Sequence, residues 1–538
     1  MSQNISELDA GAIQGNGGGY NGNGGASIGK RLLGFVDDHV NPIVVKELRQ
    51  AVRSRFIMVV INLLLMIQLV IVGGFLLGST GDDFTMGRTV FTTLHFLLLT
   101  TSVIFVPAYV GVRFAAERSA QNVDLMFTTT ISPMSIIWGK FLSGLIVTGL
   151  LFSTAGPFMV LTYMLRGIDV PSILLILGMD FLTVLGAIQF AILVMSGSTS
   201  LVARGGMLIL CLILFPYLII AMGVASAGLM GEFGGSWWNE PYAWMYLSAY
   251  LLLNLAYHVG VMLASAAVIS PPTSNRAVGI RTFLFVTWII SGVLCLLAGV
   301  ALIASEWMYA WCIVSVAICC MMLLVAVCER DRWGPRVKAM IPRNPIKRLV
   351  AFFFYSGSAG GVILSMFMIL TSLVVLAVAY DDFDEEIIGH MFIVSMYFLA
   401  YCLSSVFIVR YLTGGYVKHE ATAAITLLLL ALGCMGPALI AFFIDPMGRW
   451  DRGVLWRIGN PFGAMMGYES DMPTFALFSF IWAAIMVALC VPWMLGQLRD
   501  FHRLADKPVT AEDEFEQMLV EHDQAPPLLE DPQVKADI

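Results

Sequence analysis

Charge is scarce in this chain. Only 12% of its 538 residues are Asp, Glu, Lys or Arg, about half of what a soluble domain carries. No basic tract resembles a nucleic-acid surface, so nucleic acid is not expected as a partner. There is no H-E-x-x-H, no cluster of His or Cys at zinc-ligand spacing and no G-x-S-x-G elbow, so no zinc or acyl-transfer chemistry is readable. The nine cysteines (Cys211, Cys295, Cys312, Cys319, Cys320, Cys328, Cys402, Cys434 and Cys490) all fall inside or at the end of apolar runs. They read as small buried hydrophobes and not as a disulfide framework. Residues 24–30 have the glycine and lysine spacing of a phosphate-binding loop, but Arg31 stands where Ser or Thr would hold magnesium. No soluble block is large enough for a nucleotide-binding domain. No cofactor is expected, and any ATP would be hydrolysed by another chain.

What is plentiful is apolar. Hydrophobic residues make up 58% of the chain and the mean hydropathy is +0.83, which predicts an all-α polytopic membrane protein. A crossing helix needs roughly 20 apolar residues. Such runs lie near 56–77, 89–112, 141–165, 173–195, 207–230 and 243–269, and again near 282–304, 307–328, 359–379, 387–409, 421–444 and 474–495. With twelve spans and the N-terminus inside, 25 of the 30 basic residues fall on the cytoplasmic side, as the positive-inside rule requires. Both termini are then cytoplasmic, and the membrane expected is the bacterial inner membrane.

The runs divide into two series of six with a shared layout. Glu117-Arg118 and Glu329-Arg330 end the second helix of each series, 212 residues apart, and Pro241 and Pro461 precede the last helix of each, 220 apart. This predicts two six-helix halves in the same orientation. The expected parts are a disordered Gly/Asn-rich leader (1–40), a first half (41–270), a second half (271–507) and an acidic tail (508–538). The tail holds nine acidic residues and one basic, a charge of −8 against −7 for the whole chain, so the remainder stands at +1.

Ion-driven carriers bury several ionisable groups within their spans. Here Asp180 is the only carboxylate clearly inside a span, and His95 and His258 read as isolated, hydrogen-bonded helix contacts. A secondary transporter is therefore the weaker alternative. The small-residue run Ser356-Gly357-Ser358-Ala359-Gly360-Gly361 opens an apolar helix, where it permits close packing.

Two polar stretches remain. Residues 41–55 (NPIVVKELRQAVRSR) place Val44, Val45, Leu48, Ala51 and Val52 on one helical arc, with Lys46, Glu47, Arg49, Gln50, Arg53 and Ser54 opposite. Such a basic amphipathic helix lies in the membrane interface. Residues 113–140 (RFAAERSAQNVDLMFTTTISPMSIIWGK) form a long polar interruption on the inner side. They carry Glu117-Arg118, the acid Asp124, the apolar triplet Leu125-Met126-Phe127, Thr129, Ile131-Ser132 and Gly139-Lys140. This pattern resembles the cytoplasmic loop of type-2 ABC transporter permeases, and Lys46-Glu47-Leu48-Arg49 resembles that family's N-terminal interfacial helix. Asn122 replaces the usual Thr and Thr130 the usual Pro, with Pro133 arriving three residues later.

The resemblance covers about 41–166 and becomes architectural beyond it; the second half lacks the motif. It implies the transmembrane subunit of an ABC-type exporter whose loop docks on a separate ATP-binding subunit. Glu117, Arg118, Asp124 and Lys140 would be its charged contacts, with Val123, Met126 and Phe127 its apolar anchor. The assembly implied is a homodimer or a single-chain pseudo-dimer. A non-transporting scaffold or accessory subunit of an envelope complex is the alternative.

Overall fold

The computed structural model describes residues 46–503 apart from 48, 51–52, 79–85, 118–131, 166–167, 198–200, 232–240, 272–273, 303–305, 328, 330, 332, 379–384, 414–421, 445–456, 462 and 464–470. Among the described residues there is no strand. The helices are α1 (Arg55–Gly78), α2 (Met86–Glu117), α3 (Pro133–Met164), α4 (Val170–Gly197), α5 (Leu201–Gly231), α6 (Pro241–Ile269), α7 (Ala277–Leu302), α8 (Glu306–Ala326), α9 (Pro335–Ala339), α10 (Pro345–Phe354), α11 (Ser358–Val378), α12 (Glu385–Phe407), α13 (Thr422–Ile444) and α14 (Met472–Asp500), with a π-helical turn at Ile408–Leu412 after α12.

Among the described residues, nine of these are long and apolar enough to cross a membrane. The chain is an all-α integral membrane protein. Every apolar run of the sequence falls on one of α1–α8 or α11–α14. Helix ends differ from the sequence expectation where local capping decides them. α3 begins at Pro133, not near 141, because the Ser132 hydroxyl accepts the Ser135 N–H at 3.2 Å and Pro133 fills the first helical position. The segment after α8 folds into two short helices the sequence reading did not anticipate. Asn344 caps α10, accepting the Ile346 N–H at 2.9 Å, and Pro345 follows it.

The chain forms two compact units, 1–269 and 270–538. In the first, α2 packs against α1, α3, α4 and α5, and α4 also packs against α3, α5 and α6. Phe91, Leu94, Leu98, Val103, Val184 and Ile188 fill this core. The approach of α3 to α4 is close: a Cβ at Gly144 would stand 2.9 Å from Ile188 Cγ2. In lipid, where apolar burial supplies no driving force between helices, such contact is the main attraction. Met58, Val59, Leu63, Met66 and Val70 of α1 point away from the core, the composition a lipid-facing surface requires.

In the second unit α12 packs on α13 and α14, and α8 on α11. Phe501, just past α14, sits 5.0 Å from the Trp333 ring and 5.5 Å from that of Phe352, so the end of the last long helix is pinned beside α9 and α10. Elsewhere in this unit, Tyr401 donates to the Gly459 carbonyl at 2.5 Å and Tyr397 accepts the Gly459 N–H at 3.2 Å. Gly459 has φ +95°, a conformation side chains disfavour.

Candidate functional site

The ends of loop 113–140 meet in one charge cluster. Glu117 closes α2, where a carboxylate faces the negative end of the helix dipole and needs a cation nearby. Two supply it: the Lys140 ammonium from the first turns of α3 pairs with Glu117 Oε2, and Lys46 Nζ lies 3.6 Å from Oε1. Lys140 Nζ also stands 2.6 Å from Glu47 Oε1. Both Lys140 and Glu47 are deeply buried, at 2% and 4% exposure. Neighbouring Arg113 donates to Gln50 Oε1 and, at 2.6 Å, to the Tyr109 hydroxyl, and Tyr109 stacks on Phe56.

Several sequence expectations are sharpened or corrected here. Lys46, Glu47, Arg49 and Gln50 are helical, and Lys46, Arg49 and Arg53 are exposed. Glu47, assigned to the polar arc, is instead buried, because Lys140 draws it inward. Lys140 is likewise buried and not a surface contact; it clamps Glu117 to Glu47. Leu48, Arg118, Val123, Asp124, Met126 and Phe127 lie outside the described residues.

The second unit holds its own buried charges, which sequence reasoning missed. Arg281 of α7, counted as one more inner positive charge, is 2% exposed. Its Nη1 donates to the carbonyls of Phe353 (3.0 Å) and Tyr355 (2.7 Å), and its Nη2 to Gly357 (3.0 Å). Glu329 Oε1 lies 2.7 Å from the same guanidinium, while Oε2 accepts the Gly357 N–H at 2.7 Å. Gly361 has no side chain because a Cβ there would collide with Arg281. The small-residue run thus makes room for a guanidinium as well as for a helix. Each unit therefore holds a carboxylate at or just past the end of its second helix, Glu117 or Glu329, with a buried cation.

Beside this, Asp331 pairs with Arg410 and accepts from Ser358 and Gln497. Arg410 projects from the π-helical turn, a geometry enriched at functional positions, and lies 4.1 Å over the Trp493 ring. The signal available in sequence was an arginine at the very edge of an apolar run.

The spans of the first unit hold a further pair. His95 and Asp180 are not isolated: Nε2 and Oδ2 stand 2.7 Å apart with both side chains fully buried. The approach is an ion-pair contact by distance; neither side chain makes a hydrogen bond among the described residues. The packing of α2 on α4 brings them together. His258 is a helix contact, its Nδ1 2.8 Å from Gln189 Oε1.

Among the described residues no group of His, Cys, Asp and Glu could hold a metal. No family model matches the chain, and neither curated proteins nor solved structures provide a match.

Proposed function

We propose that the chain is the transmembrane permease subunit of an ATP-driven, type-2 ABC exporter, docked through loop 113–140 on a separate ATP-binding subunit. The observation that carries this reading is the junction of Lys140 with Glu117 and Glu47. It ties both ends of the loop to the segment that precedes α1. A partner gripping Arg118, Asp124, Val123, Met126 and Phe127 would therefore move α2, α3 and the interfacial helix as one body. Lys140 and Glu47 are both buried, and parting them would leave two uncompensated charges, so the junction resists being pulled apart.

The reading takes all twelve apolar helices as crossings, with both termini in the cytoplasm of a bacterial cell and the 25 basic residues on that side. The two units serve as the two six-helix halves, and the partner hydrolyses the ATP. The test is co-purification with a free-standing ATP-binding subunit encoded beside this chain. The variant is Asp124→Lys/Phe127→Asp, which spares the structurally engaged Glu117. Loss of the partner with an unchanged elution profile is expected; undiminished binding would sink the docking.

A further inference from the structure

The second unit carries a basic surface that the exporter reading leaves unused. Between Asp331 and Asp381 the chain has no acidic residue, while Arg332, Arg336, Lys338, Arg343, Lys347 and Arg348 crowd into 332–348. Residues 343–350 are exposed without a break. Arg336, Lys338, Lys347 and Arg348 make no ion pair among the described residues, and the two acids that precede them in the chain are occupied, Glu329 by Arg281 and Asp331 by Arg410.

On α10, Ile346, Leu349 and Val350 share one face at the i, i+3, i+4 spacing and are 73%, 47% and 50% exposed. Lys347 and Arg348 point away from that face. The helix is nonetheless held firmly: Ala351 and Phe352 are buried, and the Phe353 carbonyl in its last turn accepts from Arg281. Its aliphatic face is thus presented by a fixed scaffold, between two long apolar helices, α8 and α11, in the chain.

We propose that α9 and α10 form an interfacial binding site for acidic phospholipids. α10 lies in the plane of the membrane with Ile346, Leu349 and Val350 among the acyl chains. Lys347 and Arg348 meet the headgroup phosphates, and Arg336 and Lys338 of α9 extend the cationic surface. A helix with a cationic side and an aliphatic face binds a bilayer boundary in this way. An acidic polypeptide would satisfy the cations and leave three aliphatic side chains in water, so the bilayer is the better fit. The inference does not depend on the exporter reading.

The test uses the full chain in detergent and native mass spectrometry, with phosphatidylglycerol and phosphatidylcholine of identical acyl chains as probes. The wild-type chain should retain phosphatidylglycerol preferentially. Each surface cation is worth about fivefold in attraction to an anionic surface, so Lys347→Gln/Arg348→Gln should reduce that preference roughly 30-fold. Arg336→Gln/Lys338→Gln gives an independent reading should the first variant fold poorly. Equal retention of the two lipids by the wild type, or a preference unchanged in both variants, would overturn the site. So would a preference that emerges only after residues 508–538 are deleted, since the acidic tail would then be the occupant.

Discussion

Lys140 Nζ lies 2.6 Å from Glu47 Oε1 and also reaches Glu117, so one ammonium at the start of α3 fastens the end of α2 and the segment before α1. Lys140→Met keeps the length of the side chain and strands a buried carboxylate. It should destabilise the protein by about 3–5 kcal/mol, read as a lowered midpoint in denaturant or thermal unfolding in detergent. Adding Glu47→Gln should recover part of that loss, because the stranded charge is removed. A Lys140→Met protein as stable as the wild type would show the clamp to be inert.

Arg281 serves three carbonyls and Glu329 with one planar guanidinium. Lysine cannot reproduce that fork, so Arg281→Lys should cost about 2 kcal/mol, on the scale of a charge-assisted hydrogen bond lost from a buried site. Gly361→Ala places a Cβ 2.7 Å from Ala326 Cβ and against the guanidinium, with an overpacking cost of about 1–3 kcal/mol. The two substitutions share a partner and should not add. Arg281→Lys should cost less in the Gly361→Ala background, and strict additivity in a double-mutant cycle would refute the shared contact.

The His95–Asp180 pair is sealed from solvent. Removing one member leaves an uncompensated polar group, whereas replacing both with apolar residues can be neutral. Asp180→Leu should therefore unfold more readily than His95→Leu/Asp180→Leu. A double variant at least as unstable as the single one would argue against direct pairing.

Arg410 stacks on Trp493 while pairing with Asp331. Arg410→Lys keeps a charge for Asp331 but loses the flat stacking surface, at a cost of about 0.5–2 kcal/mol. Arg410→Met should cost more, since it also strands Asp331. An equal loss in the two variants would show that the stacking alone matters.

Much of the fold was legible because crossing a membrane demands long apolar runs, and those runs became helices. The start of α3 was written in Ser132-Pro133, and that of α10 in Asn344-Pro345, although so short an amphipathic helix gives no run long enough to notice. The polar contacts were harder. A helical wheel assigns Glu47 to water because it cannot see Lys140, 93 residues further on. His95 and Asp180 each look solitary until α2 packs on α4, since no local pattern records which helix faces which. Arg281 and Arg410 were read by charge alone, as loop cations, when their neighbours had made them buried hubs. Of loop 113–140, the sequence motif offers a candidate docking surface and the structure describes only the two ends.

Docking of an ATP-binding subunit on the loop is tested most directly by replacing Phe127 with a photo-crosslinking amino acid in the full chain in its native membrane. Irradiation should yield an adduct of this chain with an ATP-binding subunit, and the adduct should disappear when Asp124→Lys is added. If position 127 crosslinks only to lipid or to another copy of the chain, while the same residue placed elsewhere captures the ATP-binding subunit, the loop is not its docking site.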